Sequence, residues 1–118
     1  MANILIGITA SVAAFKVTTL IRDLCKQSHN VKVVQTNESI KFVPTSLIAA
    51  IGVEVYNDNL DYNNPNIAMS HVNLAKFADI FIIVPATANT IAKIANGIAD
   101  NLLLQTILAF NNPQRIVI

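Results

Sequence analysis

The sequence predicts an α/β fold in which a parallel sheet is covered by helices on both faces. Asn3–Ile8 and Ile80–Val84 are short, nearly continuous apolar runs of β-prone residues, the pattern of strands buried on both sides. Between such runs apolar residues recur at helical spacing, and strands alternating with helices argue for parallel pairing with right-handed crossovers. Small polar residues also follow three of the predicted strands, at Thr9–Ser11, Thr36–Ser39 and Ala86–Thr90. Ligands of such sheets bind outside the carboxyl ends of the strands. These three loops should therefore share one edge and meet a phosphorylated or hydroxyl-rich ligand.

Taken in order, Asn3–Ile8 is the first strand, with Gly7 near its end permitting close approach. Ser11 stands where an N-cap belongs, or where a hydroxyl could meet a ligand beside free backbone N–H groups. From Ala13 onward, Ala14, Val17, Leu20, Ile21, Leu24 and Cys25 form one helix face, which places Cys25 on its buried side. Gln27–Asn30 is a polar turn, with His29 as solvated surface. Val31–Gln35 is a second strand, and Ile40–Ile51 reads as a helix interrupted at Pro44 and ended by Gly52. Val53–Tyr56 is a short third strand. Asn57–Ser70 is a polar stretch too long for a simple connection, either mobile or functional.

His71–Ala78 is a short helix feeding the central strand, Ile80–Val84. Pro85 stops that strand because proline has no N–H for the ladder. A helix starts near Asn89 and closes at Gly97, a C-cap glycine. Asp100 is placed to cap the next helix, Asn101–Phe110, and Arg115–Ile118 begins a further strand.

The 118 residues fit one domain, 1–118. Charged residues are 13% of the chain, against about 25% in typical domains. That shortage points to burial against sister subunits or to a chain missing part of itself, with an unusually apolar monomer as the plain alternative. A net charge of +1 without a basic run offers no footprint for nucleic acid. No apolar run approaches the roughly 18 residues of a membrane span. No secretory signal pattern opens the chain, and one cysteine excludes an internal disulfide framework, so a cytoplasmic protein is expected. His29, His71 and Cys25 are too scattered for metal-ligand spacing, and no Gly-x-Gly-x-x-Gly, Walker loop or nucleophile elbow occurs. His71 follows the long polar stretch and heads a helix. It could act as acid, base or carboxylate holder near neutral pH, or make a structural helix-end bond.

Four segments, Gly7–Lys16, His71–Asp79, Pro85–Thr90 and Ile94–Leu103, resemble in order the motifs of the homo-oligomeric flavin-containing cysteine decarboxylases. The Pro-Ala-Thr-Ala-Asn-Thr run, usually Pro-Ala-Ser-Ala-Asn-Thr in that family, is the most specific of them. The resemblance implies a three-layer flavodoxin-like, Rossmann-like fold that binds FMN and assembles as trimers or larger multiples, with flavin near the subunit interface. By position, Ala10, Ser11 and Val12 with Thr36 and Ser39 would hold the phosphate and ribityl chain. Thr87, Ala88, Asn89 and Thr90 would face the flavin, and His71 would be the active-site base or carboxylate-binding residue.

The implied reaction is FMN-dependent oxidative decarboxylation of the cysteine moiety of 4′-phosphopantothenoylcysteine in coenzyme A biosynthesis. Alternatives are a lantibiotic-type peptidyl-cysteine decarboxylase and a flavin-binding subunit without activity. A flavin prenyltransferase shares the fold, but the His71 motif and the Asn89-Thr90 ending argue against it. Family members run on into a Pro-x-Met-Asn-x-x-Met substrate clamp, and the phosphopantothenoylcysteine enzymes use a later cysteine. Neither occurs in these 118 residues, so a C-terminally incomplete chain is expected, with flavin binding kept and full turnover in doubt.

Overall fold

The computed structural model describes residues 1–60 and 63–118, with the backbone alone at position 66. Among these residues the strands are β1 (Asn3–Ile8), β2 (Asn30–Gln35), β3 (Glu54–Tyr56), β4 (Ile80–Ile83) and β5 (Ile116–Val117). They form one sheet ordered β3-β2-β1-β4-β5, and every pairing is parallel. The helices are α1 (Val17–Lys26), α2 (Thr45–Ala49), α3 (Pro65–Ala68), α4 (Ser70–Phe77), α5 (Ala88–Ala95) and α6 (Leu102–Ala109). The expected helix-covered parallel sheet is what forms.

Alternation along the strands divides the core into two. Leu5, Phe81 and Ile83 pack with Leu74 of α4 and with Leu103 and Ile107 of α6. Ile4, Ile6, Ile8 and Val33 face the other way, onto Val17 and Ile21 of α1 and Ile48 of α2. Each of these side chains, fully buried, stabilises the fold by about 1.5–3 kcal/mol before chain entropy is counted. Gly7 sits on the α6 side. A Cβ there would meet Leu103 Cδ1 and Phe81 Cε1, each at 3.0 Å, so its bareness is what lets α6 settle on the sheet.

Several local expectations are corrected. The helix read from Ala13 begins as a 3-10 turn, Val12–Lys16, before α1. Ile40–Ile51 is interrupted at Pro44 as expected, but its first piece is a 3-10 turn at Glu38–Lys41 and its second, α2, is only five residues long. Buried Gln35 bridges that break, its Nε2 donating to the Val43 carbonyl at 3.1 Å and its Oε1 accepting from the Thr45 hydroxyl. Asn57–Ser70 contains α3 within the described residues, while Asp61 and Tyr62 of that stretch lie outside them. The cap of α6 is Asn101, whose side chain accepts from Leu104 N–H at 2.8 Å; Asp100 reaches Lys93 instead. Cys25 is on the core-facing side of α1 as expected, though only half-buried. His29 has a structural partner, its Nδ1 accepting from Ala2 N–H at 3.0 Å.

Candidate functional site

The order of the sheet puts β1 beside β4, with β2 continuing on one side and β5 on the other. Chains leaving neighbouring strands at such a reversal open a crevice at the carboxyl edge, the usual ligand position of doubly wound sheets. Here Thr9 spans the crevice. It is 1% exposed, its N–H and hydroxyl both donate to the Pro85 carbonyl, and its Oγ1 accepts from Thr87 N–H at 3.0 Å. The Val84–Pro85 peptide bond is cis. Thr87 in turn caps α5: its Oγ1 accepts from Thr90 N–H at 3.2 Å and donates to Thr90 Oγ1 at 3.0 Å. The loop after β4 is thus held at both ends.

The loop after β2 joins the same edge. Thr36 N–H donates to the Ile8 carbonyl at 3.0 Å, continuing the ladder between β1 and β2 by one residue. Ser39 is fully buried and its hydroxyl is committed, donating to the Thr36 carbonyl at 2.7 Å and accepting from Gln35 Nε2 at 3.3 Å. Its work is to hold the shape of that turn.

A cavity of about 260 Å³ lies between the three loops. Of the residues singled out by sequence, Ala10, Thr36, Thr87, Asn89 and Thr90 line it. Ser11, Val12, Ser39 and Ala88 do not. Ser11 caps the 3-10 turn by accepting from Ala13 N–H at 3.2 Å, and Val12 is 70% exposed. The cavity also has walls the sequence reading did not single out: Thr9, Glu38, Lys93 and Asn101. Lys93 could have been found from its helical spacing to Asn89 and Thr90.

His71 stands apart from that group. It lines a second cavity, about 320 Å³, with Asp58, Ala68 and Gln105. A third, about 240 Å³, shares Glu38, Lys93 and Asn101 with the first and Asp58 with the second, and is also lined by Asn37 and Asp100. The three cavities therefore share walls in sequence, forming a trough from the loop ends to His71. Asp58 is held there by Leu102 N–H at the head of α6, which donates to its Oδ1 at 2.7 Å. Burial pushes the Asp58 carboxyl up from its ordinary range. The Leu102 N–H opposes that shift, and the carboxylates of Glu38 and Asp100 add to it. The contact joins residues 44 positions apart, so no sequence pattern announces it.

The lining suits a phosphorylated ligand with hydroxyls: the Thr36 and Thr90 hydroxyls and the Asn89 and Asn101 amides stand on its wall, with Ala10 small enough for close approach. Among the described residues, no group of three or more His, Cys, Asp or Glu side chains is placed to hold a metal ion. None of the helices described is long and apolar enough to cross a membrane.

A family model described as Flavoprotein matches residues 1–118. The coenzyme A biosynthesis bifunctional protein CoaBC of Bacillus subtilis is 40% identical over 112 residues, covering 94% of this chain and 27% of that protein. A probable phosphopantothenoylcysteine decarboxylase of Streptococcus mutans is 36% identical over 108 residues, covering 91% of this chain and 60% of that one. The chain thus spans between about a quarter and three-fifths of these relatives. Among solved structures, the FMN-dependent cysteine decarboxylase TvaF from thioviridamide biosynthesis superposes with a TM-score of 0.86 at 25% identity, over 94% of this chain and 68% of that one.

Proposed function

The chain belongs to the Flavoprotein family, and from that premise we propose that it is the FMN-binding domain of a phosphopantothenoylcysteine decarboxylase. The observation that carries the reading is the convergence of three strand-end loops on one cavity of neutral hydrogen-bonding groups. Its substrate is 4′-phosphopantothenoylcysteine, and its place is in coenzyme A biosynthesis, as the names of the relatives suggest.

Ala10 and Thr36, which line the cavity, would take the phosphate and ribityl chain, and Ser39 would support Thr36 through its backbone N–H; Ser11 and Val12, outside the lining, drop out of that set. Thr87, Asn89 and Thr90 would face the flavin. When bound, FMN supplies the two-electron oxidation of the substrate thiol that makes the adjacent carboxylate a leaving group. The protein's part is orientation. Thr9 fixes the loop after β4, the trough leads the substrate from the cavity toward His71, and the imidazole receives its carboxylate or moves its proton. Val12 and Phe15 are 70% and 54% exposed beside an apolar hollow formed by Ala13, Val17, Leu20 and Pro85, which supports a homo-oligomer, with a trimer as the family form. A cytoplasmic setting goes with this pathway.

Incubation with FMN followed by desalting should leave protein-bound flavin with visible absorption. Asn89→Asp should weaken its retention, by adding a carboxylate to a cavity wall that already carries Glu38. Correctly folded protein that takes up no FMN would overturn the reading. In the decarboxylation assay His71→Asn should lower turnover by about 100-fold or more while FMN stays bound. Unchanged turnover would remove His71 from the chemistry.

A further inference from the structure

Resting on the reading that this cavity holds the phosphate of FMN, we propose that Lys93 is the residue that recognises that phosphate, and that Asp100 keeps its ammonium in reserve until the ligand displaces it. Among the described residues lining the cavity, Lys93 brings the one positive charge and Glu38 the one negative charge. The remaining polar walls are neutral hydroxyls and amides. A phosphate monoester carries about two negative charges near neutral pH, so neutral donors leave it uncompensated beside Glu38. Lys93 lies one helical turn beyond Asn89 and Thr90 on α5, on the side of the helix that lines the cavity.

In this structure Lys93 Nζ is 2.9 Å from Asp100 Oδ2, and the two side chains are 28% and 54% exposed. Asp100 does not cap α6, which Asn101 does; apart from Lys93 it stands beside Glu38 and Asp58 on the wall of the third cavity. A solvent-accessible pair of this kind is weak, because water screens it and ordering two long side chains costs entropy. A dianion in a half-enclosed, hydroxyl-lined cavity is the stronger partner for the ammonium. Exchange leaves Asp100 facing solvent, so the swap strands no buried charge.

The experiment is equilibrium binding of FMN and of riboflavin, which lacks the phosphate, to the whole chain and to two variants at low and raised salt. Lys93→Gln should weaken FMN by about tenfold or more and riboflavin by less than about twofold. Asp100→Asn, which frees the ammonium, should tighten FMN at low salt and leave riboflavin unchanged. Lys93→Arg should keep most of the discrimination between the two flavins. Parallel weakening of both flavins in Lys93→Gln would overturn the proposal, because it would mean Lys93 merely shapes the wall; so would FMN binding that ignores Lys93. Wild-type protein of verified fold that binds neither flavin would instead remove the flavin reading, and the proposal with it. Far-ultraviolet circular dichroism checks that the variants remain folded.

Discussion

Thr9 is the residue on which the candidate site depends, and by sequence it is one small polar residue in a short loop. Its partners, Pro85 and Thr87, lie 76 and 78 positions away, so its role exists only once β1 and β4 are neighbours. Thr9→Val keeps volume and β-branching but removes a donor and an acceptor inside a nearly closed site. It should cost about 1–2 kcal/mol in urea unfolding, because Thr87 N–H loses its partner. A loss within error of zero would show that the loop after β4 is held by other contacts. The other site residues divide by the same logic. Thr36 and Thr90 were legible as hydroxyls at strand and helix ends. Ser39 has the same chemistry, but it packs under the turn and spends its hydroxyl there.

Helix ends show how far local rules reach. Thr87 and Asn101 are N-caps with the side-chain bonds such residues make, and Gly97 carries the positive φ of 68° that a helix-closing glycine allows. Asp100 and Asn101 are both good caps. Asn101 takes the cap, and the Asp100 carboxylate pairs with Lys93 instead. Asn101→Ala should therefore cost about 1 kcal/mol of stability, whereas Asp100→Ala should stay within about 0.5 kcal/mol. Chemical denaturation of the two variants side by side checks this, and an equal loss in both would restore Asp100 as part of the cap. The break in the segment from Ile40 to Ile51 is also decided from outside. Pro44 permits the break, and the buried amide of Gln35 stabilises it by satisfying the groups on either side.

At the scale of the whole molecule, the sheet order places the reversal between β1 and β4 beneath the loops that carry Thr9 and Thr87. A ligand seated there ties together two loops distant in the chain, so it should stabilise the fold by mass action. FMN at about 100 times its dissociation constant should add about 2.7 kcal/mol, seen as a rise in Tm, and a Tm indifferent to saturating FMN would count against the site. The sequence by itself determined the parallel α/β architecture, because runs buried on both faces and helical spacing are properties of neighbours in the chain. It also determined which loops end at the carboxyl edge, and the family, since those motifs are contiguous. Tertiary structure alone decided which of the polar residues open onto the cavity and that Asp58 lines the cavity that holds His71. It also turned Lys93 toward Asp100. Each of these depends on contacts between residues far apart in sequence, and side chains of identical chemistry take different roles according to what packs beside them.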